Sequence, residues 1–390
     1  MKTAALYDGD AYLSRFEARV LSCTEGEDGR YRVILDRTAF FPEQGGQSAD
    51  RGTLSGTVRV LDAHIWDGVI THLTDGPLDV GQTVGGEVDF ARRFGFMQQH
   101  TGEHIMSGLA HRMYGCTNVG FHLSDRQVTM DYDRDLTSGQ VSELELRANE
   151  AVYKNLPVRC WYPTKEEAAA LDYRSKKEIT EGLRIVSIGD VDDCACCAPH
   201  VRFTGEIGLI KVMSAMRYKG GTRLSILCGQ RALMAFSEKQ AILMQLGRMM
   251  SCGEDELAHV IAGHEEEARR LRARAAQLET GALVREAREA AERGEAYLLT
   301  DVRDERALIA AAEALCGQSE TGCVFSGTDE EGYRLIVMSK TGEARERFRL
   351  LQSALDARGG GDGTLIRGKT TADRARICRY FGAERPDGEP

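Results

Sequence analysis

The spacing of apolar and polar residues divides the 390-residue chain into regions with different periods. Residues 1–92 are expected to form a small β-barrel. Tyr31 to Leu35 alternates as a strand does, and turn pairs such as Gly45-Gly46 and Gly76-Pro77 recur at short spacing. From Arg92 to about Gly115 the apolar period becomes helical. The change of period places the first domain boundary at residue 92.

Two further regions follow the barrel. Residues 93–229 are expected to form an α/β domain with a charged helix over 138–155 and strands over 184–188 and 223–227. Residues 230–294 form a helical arm, interrupted near 251–253. The second half of the arm carries a coiled-coil-like heptad seam: Leu257, Ile261, His264, Ala268, Leu271, Ala275 and Leu278. The seam predicts either a helical hairpin within one chain or the arm of a homodimer.

The pattern alternates again over residues 295–390, which predicts a C-terminal α/β domain. Strands are expected at 296–300, 322–326 and 334–338, with helices at 306–315, 343–357 and 372–381. A Gly-rich loop containing Gly359, Gly360 and Gly361 either contacts RNA phosphates or is a plain turn. The expected fold class is therefore α+β: a barrel, an α/β domain, a helical arm and a second α/β domain.

Composition narrows the class of protein. With 42% hydrophobic and 28% charged residues, the chain can bury cores and remain folded. The N-terminus lacks the apolar core of an export signal and no long apolar run follows, so we expect a cytoplasmic protein without a membrane span. Eleven cysteines in such a chain favour reduced thiols, a few of them binding metal. The net charge of −10 argues against a large nucleic-acid footprint but leaves room for a local basic face.

Two separated motifs carry candidate metal ligands. His100-Thr-Gly-Glu-His104 lies in a helical pattern, and the spacing of four puts both imidazoles on one face. Glu103 is expected to point away from that face, which favours a structural role over that of a base. Downstream, Cys194-Ala-Cys196-Cys197-Ala-Pro-His200 offers a thiolate and an imidazole, which would complete the ligand set that zinc prefers. Spacing alone does not choose among the three cysteines.

Four segments together resemble the editing region of alanyl-tRNA synthetase and its free-standing relatives, the AlaX-type alanyl-tRNA editing proteins. The first is a Gly-rich barrel motif over 35–47, followed by Asp-Arg-Gly at 50–52. The second is the His pair with its preceding Gln, residues 99–104, and the third is Cys-Cys-Ala-Pro-His through Thr-Gly-Glu-Ile-Gly, residues 196–208. The fourth is the Gly-rich segment 358–368. Order and rough spacing are kept, so the resemblance spans nearly the whole chain.

The resemblance implies one Zn²⁺ per chain, held by His100, His104, Cys196 and His200, and it selects Cys196 as the thiolate ligand. Cys197, Ala198 and Pro199 replace the Gly-Gly-Thr that the family usually has in this turn. The residues expected to contact substrate lie in two segments: Gly45, Gly46, Gln47, Phe121, His122 and Ser124.

The function implied is hydrolysis of mischarged seryl-tRNA(Ala), with glycyl-tRNA(Ala) as a second candidate substrate, in support of translation fidelity. An alanine pocket cannot strongly exclude smaller glycine or serine with one added hydroxyl, so proofreading needs a second site. The expected partner is the acceptor end of tRNA(Ala). Because the chain begins with the barrel rather than an aminoacylation domain, we expect the long free-standing form without ligase activity. The rival interpretations are a non-catalytic zinc-stabilised module that binds RNA or a partner chain, and another zinc hydrolase. No catalytic residue is assigned.

Overall fold

The computed structural model describes residues 2–26, 29–175, 182–317 and 319–383. The chain divides into two compact units, residues 1–243 and 244–390. The first unit begins with short elements and strands: β1 Ala4–Ala5, α1 Leu6–Gly9, β2 Arg15–Glu25, β3 Tyr31–Leu35, β4 Arg37–Thr38, β5 Gly52–Leu54, β6 Val58–Trp66, β7 Val69–Thr74 and β8 Thr83–Val88.

Six of these strands close into an antiparallel barrel in the order β2-β3-β7-β6-β5-β8. Burial alternates along β2 and β8, as it must when one face of each strand lines a closed core. Phe16, Val20, Val33, Leu35 and Leu54 fill the interior. The predicted barrel is confirmed, as is the strand at Tyr31–Leu35.

The first unit continues after the barrel with these elements: α2 Phe90–Tyr114, β9 Asn118–Leu123, β10 Val128–Tyr132, α3 Ser138–Tyr153, β11 Val158–Trp161, α4 Lys165–Ala170, β12 Ile185–Ile188, β13 Asp192–Ala195, β14 Ile210–Tyr218, β15 Gly221–Cys228 and α5 Gly229–Met250. The predicted helices near 92–115 and 138–155 and the predicted strands near 184–188 and 223–227 are thereby confirmed. Helix α5 runs past residue 243 into the second unit.

Helix α2 is the central element of this region. The Asp89 side chain accepts a hydrogen bond from the Arg92 N–H and so caps the helix at its start. Gly115, with a φ of 63°, ends it in the left-handed conformation that a residue without a Cβ adopts readily. The helix packs on the sheet β14-β15-β10-β9 and on α3, and its middle turns are buried on all sides. A second sheet, β11-β12-β13, leads directly into the Cys196 turn.

The second unit contains the following elements: α6 Leu257–Glu292, β16 Tyr297–Thr300, α7 Glu305–Leu315, β17 Thr321–Thr328, β18 Gly332–Ser339, α8 Ala344–Leu355, β19 Arg358–Gly361, β20 Leu365–Thr370 and α9 Arg374–Ala383. A five-stranded sheet in the order β16-β17-β18-β20-β19 forms its centre. Helix α7 and the end of α6 pack on one face, while α8 and α9 pack on the other. The predicted strands and helices of the C-terminal region are confirmed; residues 384–390 lie outside the described ranges.

The Gly-rich segment differs from the expectation of a loop, because Arg358–Gly361 forms the exposed edge strand β19, paired with β20. A Cβ on Gly359 would lie 2.2 Å from the Arg367 carbonyl oxygen, and one on Gly361 would lie 2.1 Å from that of Leu365. Glycine therefore serves here to let two strands approach closely.

Helix α6 leaves much of its heptad seam exposed in the single chain. Ile261, Leu271 and Leu278 are 38%, 57% and 58% exposed. Across the described part of the chain, no helix combines the length and apolarity needed to cross a membrane.

Candidate metal centre and its cavity

Two parts of the first unit bring four potential ligands together. Helix α2 supplies His100 and His104, and the turn after β13 supplies Cys196 and His200. One ligand atom from each residue lies within 4.8 Å of all the others, and the three histidines are buried. The structure thus brings together the four residues that the family resemblance implied.

The spacing of the donor atoms fits a tetrahedral zinc ion. The Cys196 Sγ lies 3.6 Å from His100 Nε2 and 3.4 Å from His200 Nε2. Zinc–sulfur and zinc–nitrogen bonds of ordinary length at a tetrahedral angle put sulfur and nitrogen about 3.6 Å apart. A Cys-His₃ donor set is also of the chemical type that zinc prefers.

Each histidine is oriented through its other ring nitrogen. His100 Nδ1 lies 2.7 Å from Gln47 Oε1, and His104 Nδ1 lies 3.1 Å from Asp192 Oδ2. His200 Nδ1 lies 3.0 Å from the Thr101 hydroxyl. We assign the proton to Nδ1 in all three rings, which leaves each Nε2 lone pair facing the centre.

The environment of the centre also sets the protonation of its ligands. Burial, together with the nearby His104 and His100 rings, lowers the pKa of His200 well below its usual range, which keeps the imidazole in its neutral, ligating form. Burial raises the pKa of the Cys196 thiol well above its usual value, and the Cys197 thiol adds to this shift. A cation bound at the centre would supply the charge that favours the thiolate.

Asp192 links the centre to the surrounding structure. Arg174 donates two hydrogen bonds of 2.7 Å to its carboxylate, one to Oδ1 and one to Oδ2, the oxygen that also contacts His104. Burial alone would raise the pKa of Asp192, but hydrogen bonds from His104 and Arg174 outweigh it and hold the pKa below its usual range. The carboxylate is therefore charged and holds the His104 ring in place.

The turn that carries Cys196 and His200 is held by groups outside it. Arg184 donates hydrogen bonds to the carbonyl oxygens of Cys196 and Ala198, at 2.8 and 3.1 Å, and pairs with Asp8. The Thr101 hydroxyl, which bonds His200, also accepts a hydrogen bond from the Val201 N–H. These contacts fix the turn although its sequence departs from the usual Gly-Gly-Thr.

A cavity of about 620 Å³ opens on the centre. His100, His104 and Cys196 lie in its wall together with Gly45, Gly46 and Phe121, and the Phe121 and His100 rings are 4.8 Å apart. Cys194 and Cys197 are also among the residues that line the cavity. Only Cys196, among the three, belongs to the cluster with both helical histidines and His200.

The remaining sequence-predicted residues lie elsewhere. Gln47 is fully buried behind His100 and contacts its ring. His122 is exposed, since β9 turns it to the side opposite Phe121, and the Ser124 hydroxyl bonds the Gln127 backbone. Gly359, Gly360 and Gly361 belong to the second unit.

Gly46 allows the Gly-rich turn to lie close against strand β9. Its φ is 85°, and a Cβ there would lie 2.5 Å from the Phe121 carbonyl oxygen. The Gly46 carbonyl oxygen in turn accepts a hydrogen bond of 2.7 Å from the Leu123 N–H. A larger residue would push the turn away from β9 and so alter the cavity wall.

The expected orientation of Glu103, away from the histidine face, was wrong. The structure shows its carboxylate in the cavity wall, with Oε2 3.9 Å from His104 Nε2. Positions three apart on a helix lie only about 60° apart, so Glu103 shares a side of α2 with His100. That spacing was the signal available in the sequence.

Two family models match the chain. The model described as threonyl and alanyl tRNA synthetase second additional domain matches residues 183–225, which include the Cys196–His200 turn. The model described as tRNA synthetases class II (A) matches residues 11–92, which include the barrel. Both matches fall on segments that build the cavity or its support.

Individual relatives carry related names. The chain is 33% identical to an alanyl-tRNA editing protein AlaX-L of Pyrococcus horikoshii over 60% of each chain. It is 34% identical to an alanine–tRNA ligase of Pyrobaculum neutrophilum over 72% of this chain and 33% of that protein. A ligase of Korarchaeum cryptofilum is 29% identical over 98% of this chain and 45% of its own length. The chain thus spans about a third to three fifths of these relatives, and the resemblance expected from the motifs is confirmed.

Proposed function

We propose that this chain, which is similar to alanine–tRNA ligases and to an alanyl-tRNA editing protein, is a hydrolase that removes a wrongly attached amino acid from tRNA(Ala). The observation that carries the proposal is the cavity that opens directly on the Cys-His₃ cluster. Its volume of about 620 Å³ is within the range of small-molecule sites, so it has room for an aminoacyl group and part of the terminal nucleoside.

The substrate we propose is seryl-tRNA(Ala), with glycyl-tRNA(Ala) as a second candidate. An alanine-binding pocket excludes both amino acids weakly, so hydrolysis at a separate site is needed to correct such errors. We propose that the Gly45–Gly46 turn and Phe121, which line the cavity, contact the acylated end. His122 and Ser124 are less suited to this role, because neither is among the described residues that line the cavity.

One zinc ion per chain is the proposed cofactor, held by His100, His104, Cys196 and His200. When bound, zinc would either polarise a carbonyl oxygen, which requires that one of the four protein ligands be displaced, or anchor the end of the substrate. The chain contributes the fixed orientation of the ligands, through the hydrogen bonds of Gln47, Asp192 and Thr101, and a cavity wall that shields the ester from bulk water.

The proposed partner is the acceptor end of tRNA(Ala), and the proposed location is the cytoplasm. Strand β19, with Gly359–Gly361, remains a candidate RNA contact, because all its residues are exposed and Arg358 lies beside them. A homodimer through residues 230–294 is proposed on the exposed apolar seam of α6.

A deacylation assay tests the function. The metal-loaded protein is incubated with seryl-tRNA(Ala), alanyl-tRNA(Ala) and seryl-tRNA(Ser), and the remaining ester is measured over time. We expect seryl-tRNA(Ala) to be hydrolysed well ahead of the other two. Survival of all three esters favours a non-catalytic module, and cleavage of unrelated amides or peptides favours a different zinc hydrolase.

A further inference from the structure

The Gly-rich turn of residues 44–47 brings two backbone N–H groups to the cavity wall. Gly45 and Gly46 both line the cavity, and their φ angles are 64° and 85°. Within the described part of the chain, neither of the two N–H groups has an acceptor. Backbone donors are nearly always paired in a folded protein, so two unpaired donors at a cavity indicate a place where a ligand supplies the acceptor.

The conformation of the turn directs these donors outward. Gln44 and Gln47 bond each other through their backbones in both directions, at 3.2 and 3.1 Å, and the φ angles between them are those of a type I′ turn. The peptide bonds of the described residues are trans, so each N–H points opposite to the C=O of the same peptide. The Gln44 C=O points inward to the Gln47 N–H, and the Gly45 N–H of the same peptide therefore points out of the turn.

The turn is fixed between the barrel and strand β9. Before it, the Glu43 N–H donates to the Ala63 carbonyl oxygen of β6 at 2.8 Å. After it, the Ser48 N–H donates to a carbonyl oxygen at the end of β9 at 3.0 Å. Within it, the Gln47 side chain contacts His100 Nδ1. The two glycine N–H groups are therefore held in a set position relative to the ligand set, which is the preorganisation that catalytic hydrogen-bond donors need.

A second turn of the same class shows what such a turn contributes to the fold alone. Asp67 and Gly68, with φ angles of 47° and 75°, reverse the chain between the paired strands β6 and β7. The turn of residues 44–47 closes a single bridge, between Gln44 and Gln47, rather than a hairpin of two strands. Reversal of a hairpin therefore does not account for its Gly-Gly pair.

Hydrolysis of an ester places a negative charge on its carbonyl oxygen. A water oxygen bonds to the ester carbon while the carbonyl π electrons move onto the oxygen, and the carbonyl re-forms as the bond to the ribose oxygen breaks. The proton lost by the water ends on that ribose oxygen. Four protein ligands fill a tetrahedral zinc site, so while all four stay bound the charged oxygen needs hydrogen-bond donors from the chain. Preorganised backbone N–H groups are donors of this kind.

We propose that the N–H groups of Gly45 and Gly46 bind the carbonyl oxygen of the ester and stabilise the charge that it acquires in the tetrahedral intermediate. The left-handed φ angles favour glycine at both positions, and the approach to β9 requires it at Gly46. The proposal rests on the proposed ester hydrolysis and adds to it the groups that stabilise the reacting oxygen.

The wild-type protein provides the first arm of the test. Residues 44 and 45 form the one Gln-Gly pair of the sequence, so labelling with carbonyl-¹³C glutamine and ¹⁵N glycine isolates the NMR signal of the Gly45 amide. The zinc-loaded protein is saturated with a tRNA(Ala) acceptor minihelix that ends either in a seryl amide or in the corresponding phosphonamidate, which has a tetrahedral, anionic centre. We expect the phosphonamidate to shift the Gly45 amide proton further downfield than the amide does, because its hydrogen bond is charge-assisted. Equal shifts, or none, overturn the proposal.

The second arm removes a single N–H group. Glycolic acid in place of Gly46, introduced by nonsense suppression, converts the preceding amide into an ester and deletes the donor without adding a Cβ. We expect kcat for seryl-tRNA(Ala) to fall about 100-fold, with KM within about threefold of wild type, because the donor acts on the transition state. Glycolic acid in place of Gly68 is the matched control, since Gly68 also stands second in a type I′ turn and is not among the described residues that line the cavity. The control should keep the wild-type kcat.

The outcomes separate the two proposals. If the Gly46 variant keeps the wild-type kcat, or changes only in KM, this inference is overturned and the proposed hydrolysis stands. Zinc content and circular dichroism identify a misfolded variant, in which case the NMR arm decides. A wild-type protein that does not hydrolyse seryl-tRNA(Ala) overturns the proposed function and this inference with it.

Discussion

Helices α2 and α6 are both long, but α2 buries polar side chains whereas α6 exposes apolar ones. Helix α2 encloses polar residues in its middle turns, and each contacts a distant part of the chain: Gln99 bonds the Cys228 backbone, Thr101 bonds His200 and His104 bonds Asp192. Helix α6 instead leaves apolar residues of its seam exposed. Buried polar groups are costly unless they are bonded, so those of α2 indicate chemistry within one chain. The exposed apolar seam of α6 indicates a partner outside it.

The largest expected effect comes from removing the thiolate ligand. Cys196→Ala should lose the bound zinc and lower seryl-tRNA(Ala) hydrolysis at least about 100-fold, because the metal contributes several kcal/mol to such reactions. Zinc per chain is measured by elemental analysis, alongside the deacylation rate. Cys252→Ala, in the segment between α5 and α6, is the control and should keep one zinc. A Cys196→Ala protein that retains both zinc and activity would show that the ligand assignment is wrong.

The second effect concerns the groups that orient the ligands. Gln47→Leu removes the acceptor for His100 Nδ1 and should weaken zinc binding about 10- to 100-fold. Competition with a chelator of known affinity measures the change. Gln44→Leu, in the same turn, should bind zinc as the wild type does. If Gln47→Leu raises KM and leaves zinc affinity intact, Gln47 contacts substrate instead.

A smaller effect is expected from pH, through a histidine that binds no metal in our account. His72 is buried in the barrel, and burial lowers its pKa from 6.5 to about 4, although a bond to the Val33 carbonyl opposes the shift. The folded state therefore resists protonation that the unfolded chain accepts. The contribution of neutral His72 to the free energy of unfolding is fully present above pH 6.5. It declines as the pH falls toward 4, by about 1 kcal/mol between pH 6.5 and 5.5.

Chemical unfolding of the wild type and of His72→Gln at several pH values measures this dependence. The variant is less stable at pH 7, because glutamine does not reproduce both hydrogen bonds of the ring, but its stability should fall less between pH 6.5 and 5.5. If the free energy of unfolding falls equally with pH in the two proteins, His72 is not the source of the pH dependence.

The smallest effect on the metal centre is expected from changing α6. Replacing Ile261, Leu271 and Leu278 together by aspartate should convert a dimer to a monomer while one zinc per chain remains. Light scattering gives the mass in solution, and Ala273→Asp, at an exposed position of the same helix that lies off the seam, serves as the control. A wild-type protein that is monomeric at micromolar concentration removes the dimer proposal.

Much of the fold follows from local patterns in the sequence. Tyr31–Leu35 alternates in burial, α2 has a capping Asp89 and a terminal Gly115, and the break near residue 251 separates α5 from α6. Such features depend on neighbouring residues and were therefore predictable. The Gly-rich strand β19 was not predictable in this way. Glycine is typical of turns, and its role here depends on the close approach of β20.

The candidate site was predictable only in part. The ligands His100, His104, Cys196 and His200 stand in recognisable motifs, and the structure gathers them. The residues that orient these side chains do not stand in recognisable motifs. Gln47 and Asp192 are far from α2 in sequence and meet it only in the folded chain. The orientation of Glu103 was predicted wrongly for a related reason, since Ser107 and Asn118 determine where its carboxylate lies.

The most direct test of the account is to restore zinc to metal-free protein in steps and measure seryl-tRNA(Ala) hydrolysis at each step. The account predicts that activity rises with bound zinc and reaches its limit at one ion per chain. Hydrolysis that is already complete in the metal-free protein, or absent when the site is full, would contradict it.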